Sequence, residues 1–245
     1  MQLFDELNIE TQSDCNRRCE TCMRQNWPMP ERLERHQMPT ELVFSLIDQA
    51  EEMGFSNRVC LQHFNEPLLD ERIAEFGRYA KGRFSQVWLN TNGDTLTEGL
   101  ASELDGSFDH LHVALYGSNK LQRSVKYREW FKKTLITFSG GEHLVTHNSP
   151  DARLDILITS ARGKPCGYES QARCIIGYDG KMMLCCDDIA ASFDLGNARA
   201  VSLSELWFGD THREVLEVLS HPGGRENYEL CRNCPRESAP YWRAV

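Results

Sequence analysis

Asp14-Cys15-Asn16-Arg17-Arg18-Cys19-Glu20-Thr21-Cys22 spaces three cysteines as CxxxCxxC. Three thiolates on one short loop can each bind one iron of a cubic 4Fe-4S cluster, leaving the fourth iron without a protein ligand and open to chemistry. Zinc sites usually take CxxC pairs, and ferredoxins supply every ligand of each cluster as cysteine. Neither suits a three-cysteine loop whose next cysteine is Cys60. Just ahead of the loop, Leu7-Asn8-Ile9-Glu10-Thr11 alternates apolar and polar residues as a strand does. The cysteines therefore follow the C-terminal end of a first strand, the end that carries the active site in β/α barrels.

Outward from this loop the chain reads as strand and helix in turn. Leu42, Val43, Leu46, Ile47, Ala50 and Met53 recur at helical spacing, with Thr40 as the expected N-cap and Gly54 as the stop. A strand is expected over 58–64 and a helix over about 70–81. Val87-Trp88-Leu89-Asn90 begins a further strand that ends in the turn Thr91-Asn92-Gly93-Asp94, and after a helix comes a strand over 110–116 and another helix. Repeated units of this kind imply parallel strands with crossover helices, an α/β fold. Beyond about residue 139 the alternation weakens. Residues 154–159 read as a late strand, and the chain then becomes rich in cysteine. The expected organisation is a barrel-like domain over 1–155 and a small second module over 156–245.

Composition bounds the function. The chain has 245 residues, 26% of them charged, with a formal charge of -9. That is enough length and apolar content for a real core, and the acidic balance argues against nonspecific binding to nucleic acid or anionic membranes. No run approaches a membrane span, and Met1 to Glu10 lacks a basic-then-apolar signal pattern. The expected setting is the cytoplasm, where ten cysteines bind metal more readily than they form disulfides.

Two further segments carry a resemblance. Cys60-Leu61-Gln62-His63-Phe64-Asn65-Glu66-Pro67 stands at the end of the second strand, and Leu89-Asn90-Thr91-Asn92-Gly93 at the end of the third. With CxxxCxxC ahead of them, in this order, the chain resembles the radical S-adenosylmethionine (SAM) enzymes. The resemblance implies a partial (β/α) barrel. It also implies that the open iron chelates the amino and carboxylate groups of SAM, and that an electron from a donor such as flavodoxin or ferredoxin cleaves SAM to methionine and a 5'-deoxyadenosyl radical. Asn65 and Glu66 would meet the methionyl amino group; Asn90 and Asn92 would lie near the ribose and carboxylate. The chain departs from the family pattern in two places. The glycines that usually precede Glu-Pro are absent, and Thr21 stands where an aromatic residue usually packs against adenine.

Six cysteines crowd the last third: Cys166, Cys174, Cys185, Cys186, Cys231 and Cys234. The stretch from Cys166 to Cys185, with Tyr178-Asp179-Gly180 ahead of Cys185 and Cys231-Arg232-Asn233-Cys234 beyond, resembles the SPASM and shorter twitch extensions of that family, which hold auxiliary 4Fe-4S clusters. Six cysteines suit one auxiliary cluster, so the chain would hold two clusters in all. Cys231 and Cys234 form a CxxC pair and Cys185 follows the Asp-Gly turn. Cys166 leaves room for a hairpin within which Cys174 would lie, and Cys186 would point to the other face as a small buried residue. A structural zinc site is the alternative for the same residues.

Over its length the chain resembles the short twitch-type dehydrogenases of this family. The resemblance implies loss of hydrogen from a carbinol carbon of a small polar substrate such as a sugar or cyclitol, with the auxiliary cluster accepting an electron. Arg162 resembles an arginine that reaches the substrate. Epimerisation is a second reading, with Cys60 returning hydrogen to the radical; a free cysteine can equally be a buried hydrophobe. Maturation of a ribosomal peptide is a third, against which stands the absence of a spare N-terminal segment of domain size. A non-catalytic iron-sulfur or zinc module leaves Asn-Glu-Pro and Thr-Asn-Gly unexplained. His110 and His112 share one strand face and are acid/base candidates or ordinary core histidines.

Overall fold

A computed structural model describes residues 2–19, 22, 24, 35–140, 163–166 and 172–234. Its frame is a run of strands and helices in alternation: β1 (Glu6–Ile9), α1 (Thr40–Glu52), β2 (Arg58–Cys60), α2 (Ile73–Ala80), β3 (Gln86–Thr91), α3 (Glu98–Leu104), β4 (His110–Leu115), α4 (Lys120–Trp130) and β5 (Leu135–Gly140). The strands from β1 to β5 are parallel and adjacent in chain order. This is the expected α/β architecture, because each crossover helix returns the chain to the same end of the sheet.

Strand alternation divides the sheet into two unlike faces. Leu7, Ile9, Val59, Leu61, Val87, Leu89, Leu111 and Val113 are buried in one core with the apolar sides of the helices, including Val43, Leu46, Ile47 and Ala50 of α1. The register sets Asn8, Cys60, Trp88 and His110 side by side on the other face, with Asn90, His112 and Thr137 one step along. That second face is polar and is the concave side of the partial barrel.

Three local expectations change. Thr40 opens α1 but does not cap it: Pro39 holds the N-cap position and no side chain caps the helix. The Thr40 hydroxyl instead accepts from Arg72 Nη1 at 3.0 Å. The second strand ends at Cys60 rather than at residue 64, because Asn65 Oδ1 and Glu10 Oε1 take the backbone donors of His63 and Phe64 that strand pairing would otherwise use. β5 is a full edge partner of β4, a strand that the weakening alternation did not announce.

The cysteine-rich part adds β6 (Arg173–Ile176), β7 (Met182–Met183), α5 (Leu203–Phe208), α6 (Asp210–Ser220), a 3-10 turn (Gly224–Asn227) and α7 (Glu229–Arg232). β6 pairs in parallel with β1, and β7 folds back antiparallel, giving the order β5-β4-β3-β2-β1-β6-β7. The turn between them needs Gly180 at φ +85. The hairpin thus continues the barrel sheet past β1. The fully buried Trp207 of α5 meets Phe4 edge to face at 5.1 Å and donates to Gln2 O at 2.9 Å. Leu203 N donates to Gln49 Oε1 of α1 at 2.7 Å, so the late helices lock onto the first unit. The expected strand over 154–159 and the 155/156 boundary lie outside the described residues.

Candidate active site

The cysteine loop leaves β1 through buried polar residues. Gln12 Nε2 donates to Glu66 O at 2.8 Å and to Asp14 O at 3.2 Å, and Asp14 Oδ1 accepts from Cys15 N at 2.7 Å. Glu66 N returns a bond to Asp14 O at 2.8 Å. Cys15, Cys19 and Cys22 are all half-buried. The Cys15 thiol is pushed up to about 11, by burial first, and Glu66 and Cys22 add to this against the backbone of Arg17 and the charge of Arg24. Tyr116, one residue past β4, is hydrogen-bonded to Cys19, and burial followed by Cys19 drives its phenol upward. Arg17 lies over the Tyr116 ring at 4.0 Å and pairs with Asp94 at 2.6 Å.

Glu66 joins the ends of three strands. Its carboxylate is 2% exposed and accepts from the Thr91 hydroxyl, from Asn92 N at 2.8 Å and from Leu68 N at 3.1 Å. Burial outweighs these donors and raises its pKa from the ordinary 4.5 to about 7. Asn92 Nδ2 donates to Asn16 Oδ1 at 2.8 Å, tying Thr-Asn-Gly to the cysteine loop. In that turn Gly93 has φ +66, and a Cβ there would come within 2.6 Å of Val113 Cγ1. Asn65 is buried and its Nδ2 has no partner among the described residues. Asn90 Nδ2 donates to Gln62 Oε1 at 3.1 Å on the concave face.

Cys60 stands on that face with 0% exposure, its thiol turned to Gln62 Oε1 at 3.4 Å and driven upward by burial above all. It is held as S–H beneath Gln62. Arg162 lies outside the described residues.

In the C-terminal part, Cys166 N donates to Leu219 O at 2.7 Å, and Cys234 N to Cys231 O at 3.2 Å. Burial first, then Cys186, Asp187, Asp188 and Cys234, raises the Cys185 thiol. Burial and then Cys166 and Cys234 raise Cys231 to about 12, against Arg225. Cys174 is different: it is fully buried in β6 and burial alone acts on it. Cys186, expected as a small buried residue, is half-buried. Among the described residues no three His, Cys, Asp or Glu side chains form a cage for a single metal ion. Soft thiols with thiol neighbours, rather than imidazole, suit iron-sulfur ligation at both places.

The sequence reading missed Tyr116, Gln12 and the Arg17–Asp94 pair. Tyr116 could have been found by continuing the alternation of His110 and His112 to the end of β4. Gln12 carries no such signal.

Comparison with known proteins defines the class. The model of SPASM, an iron-sulfur cluster-binding domain, matches residues 166–235. The chain therefore carries a SPASM-type iron-sulfur cluster-binding region behind an α/β partial barrel. Over 238 residues, 95% of this chain and 93% of the relative, it is 24% identical to the S-adenosyl-L-methionine-dependent 2-deoxy-scyllo-inosamine dehydrogenase of Niallia circulans. It has the fold of BtrN, solved in complex with AdoMet and 2-DOIA, at a TM-score of 0.73 and 21% identity, over 97% of this chain and 96% of that one. A tungsten-containing aldehyde ferredoxin oxidoreductase cofactor-modifying protein of Pyrococcus furiosus is 31% identical over 142 residues, covering 50% of this chain and 39% of that protein. Among the described residues no helix is long and apolar enough to cross a membrane.

Proposed function

We propose that the chain oxidises a small polar alcohol, a cyclitol, amino-cyclitol or sugar, to a ketone. It would use two 4Fe-4S clusters, one on Cys15, Cys19 and Cys22 and one on Cys166, Cys185, Cys231 and Cys234. When bound, SAM and the clusters supply the 5'-deoxyadenosyl radical and the one-electron exchanges. Glu66 and the free Nδ2 of Asn65 would receive the methionyl end of SAM, and Asn90 and Asn92 its ribose and carboxylate. Arg162 would meet the substrate. An electron donor such as flavodoxin or ferredoxin and a reducing cytoplasmic setting go with this reading.

One observation carries it. Cys231 is acted on by Cys166 and Cys234, and Cys185 by Cys186 and Cys234, while Cys174 is isolated in β6; this supports one C-terminal thiol cluster without Cys174, and hence one acceptor for the second electron. The near full-length likeness to a dehydrogenase supports the direction of the reaction. Epimerisation would need Cys60 to reach the substrate carbon, and its thiol is buried against Gln62.

The test is an anaerobic assay in deuterated water with 2-deoxy-scyllo-inosamine. A product two mass units lighter, formed together with 5'-deoxyadenosine and tolerant of Cys60→Ala, supports oxidation. An unchanged mass with deuterium on carbon sinks it and makes Cys60 the donor.

A further inference from the structure

On the concave face, between the ends of β4 and β5, four side chains form a single file. His110 Nε2 meets Thr137 Oγ1 at 2.7 Å, the same hydroxyl meets His112 Nδ1 at 2.9 Å, and His112 Nε2 meets Ser139 Oγ at 2.9 Å. Every link joins a group that can both give and take a proton, so the file has two proton orders related by moving one proton along each link. We infer that this row is the proton-accepting part of the active site, with His112 as the base that takes the substrate's hydroxyl proton. The role rests on the dehydrogenase reading above.

Three observations converge on it. The row shares a strand face with the cluster loop's contact, because residues 110, 112, 114 and 116 alternate onto one face and Tyr116 at its end is hydrogen-bonded to Cys19 of that loop. Ala114 separates His112 from Tyr116 with a side chain of one carbon, the small position in a strand span of about 13 Å between the two. In register with His110, at the end of the row away from Tyr116, Trp88 Nε1 on the neighbouring strand is buried with no partner among the described residues, and so is Asn8 Oδ1 two strands further across. The Trp88 ring lies 5.9 Å from that of His110, and its unpartnered donor suits a hydroxyl-bearing ligand.

Electrostatics support a neutral base. His110 is pushed down by burial, then by His112 and Arg58; His112 is pushed down by burial. Arg58 lies on the Trp88 ring at 4.6 Å. With Arg173 it flanks the buried Glu6, so the charges near the row are gathered at the N-terminal end of the face. In the reaction the substrate C–H bond breaks as its hydrogen atom passes to the 5'-deoxyadenosyl radical. The O–H bond then breaks as His112 Nε2 exchanges Ser139 for the substrate hydroxyl and takes its proton. An auxiliary 4Fe-4S cluster held by Cys166, Cys185, Cys231 and Cys234 would, when bound and oxidised, supply the acceptor for the remaining electron, so that the C=O bond would be completed.

The experiment uses the reconstituted holoenzyme with 2-deoxy-scyllo-inosamine deuterated at the reacting carbon. His112→Gln should still transfer deuterium into 5'-deoxyadenosine, within about threefold of wild type, while ketone falls by about 100-fold or more. A second readout needs no turnover. In the substrate-free holoenzyme with oxidised clusters, 15N spectra of the imidazoles should change for both His110 and His112 in Thr137→Val, because their shared hydroxyl is gone. If His112→Gln keeps ketone coupled to deoxyadenosine, or Thr137→Val leaves both imidazoles unchanged, the row is not the base and the dehydrogenase reading stands. If wild type itself gives no ketone, the dehydrogenase reading falls and the role of His112 with it.

Discussion

The two cysteine sites are built in opposite ways. Cys15, Cys19 and Cys22 lie on one loop, fastened by Gln12, Asp14 and Glu66 within a few residues of β1 and β2. Cys166, Cys185 and the Cys231/Cys234 pair come from three separate places, gathered by the end of α6, the β6–β7 hairpin and α7. The first site is fixed by local chain geometry and the second by the fold around it. A local site keeps its ligands together even when the surrounding structure loosens, whereas a site closed over long loops loses them as soon as its elements part. On the proposed function the same contrast runs through the chemistry: the loop would serve radical generation and the dispersed set the fate of the radical.

The largest effect separates them directly. Replacing Cys15, Cys19 and Cys22 by Ala should abolish SAM cleavage, a loss of at least about a thousandfold or roughly 4 kcal/mol of barrier. The protein should retain about four irons, those of one cube. Iron and sulfide analysis with chromatography of 5'-deoxyadenosine checks both. A fall to no iron would mean that the C-terminal set does not hold a cluster of its own, and zinc there would overturn the assignment.

Cys185→Ala should do the reverse. Deoxyadenosine formation should persist, while ketone falls on the order of 100-fold because one ligand of the acceptor is gone. Equal loss of both products would show that the dispersed site serves radical generation as well, and the contrast between the sites would break.

Glu66 sharpens the comparison through pH. Its pKa is raised from 4.5 to about 7, so the native state keeps a proton that the unfolded chain releases. The stability due to this group is therefore full below about pH 4.5 and is lost as pH rises through about 7, by a total on the order of 3 kcal/mol. The ammonium of SAM favours the ionised form, so SAM affinity should rise with pH up to about 7 and then level. Glu66→Gln should flatten both curves and weaken SAM binding by ~1.5–3 kcal/mol. Denaturant melts and SAM titrations at pH 5, 6, 7 and 8 decide it. An affinity that falls over this range would remove Glu66 from the SAM site.

What could be read from the sequence follows the same division. CxxxCxxC, Glu66 and Asn92 were legible because each belongs to a short motif at a strand end, and the motif spacing survives in one dimension. The alternation of 7 to 11 and 87 to 90 gave the parallel strands for the same reason. The pairing of β6 with β1 was not legible, since no local pattern says which edge a late hairpin will join. The hydroxyl of Thr137 between two histidines was equally hidden, because it depends on the register of β5 against β4. Thr40 misled for a different reason: the cap preference of its side chain gave way to Pro39 ahead of it and to Arg72 across the helix pair.

Cys174 offers the smallest effect and the finest test of the contrast. It belongs to the cysteine-rich third by sequence, yet its thiol is fully buried in β6, beside Leu7 in the sheet. Burial alone shifts it, with no other cysteine contributing. A residue in that position acts as a small apolar side chain, and its removal creates a cavity of one atom. Cys174→Ala should therefore cost about 1 kcal/mol in a denaturant melt and leave iron, sulfide and ketone formation as in wild type. Cys166→Ala, by contrast, should remove about four irons, one cube, with little change in SAM cleavage. If the two variants exchange these behaviours, Cys174 is the fourth ligand. The hairpin would then have to shift in the sheet beside β1 to present it, because at its present register, opposite Leu7, no other cysteine acts on the thiol.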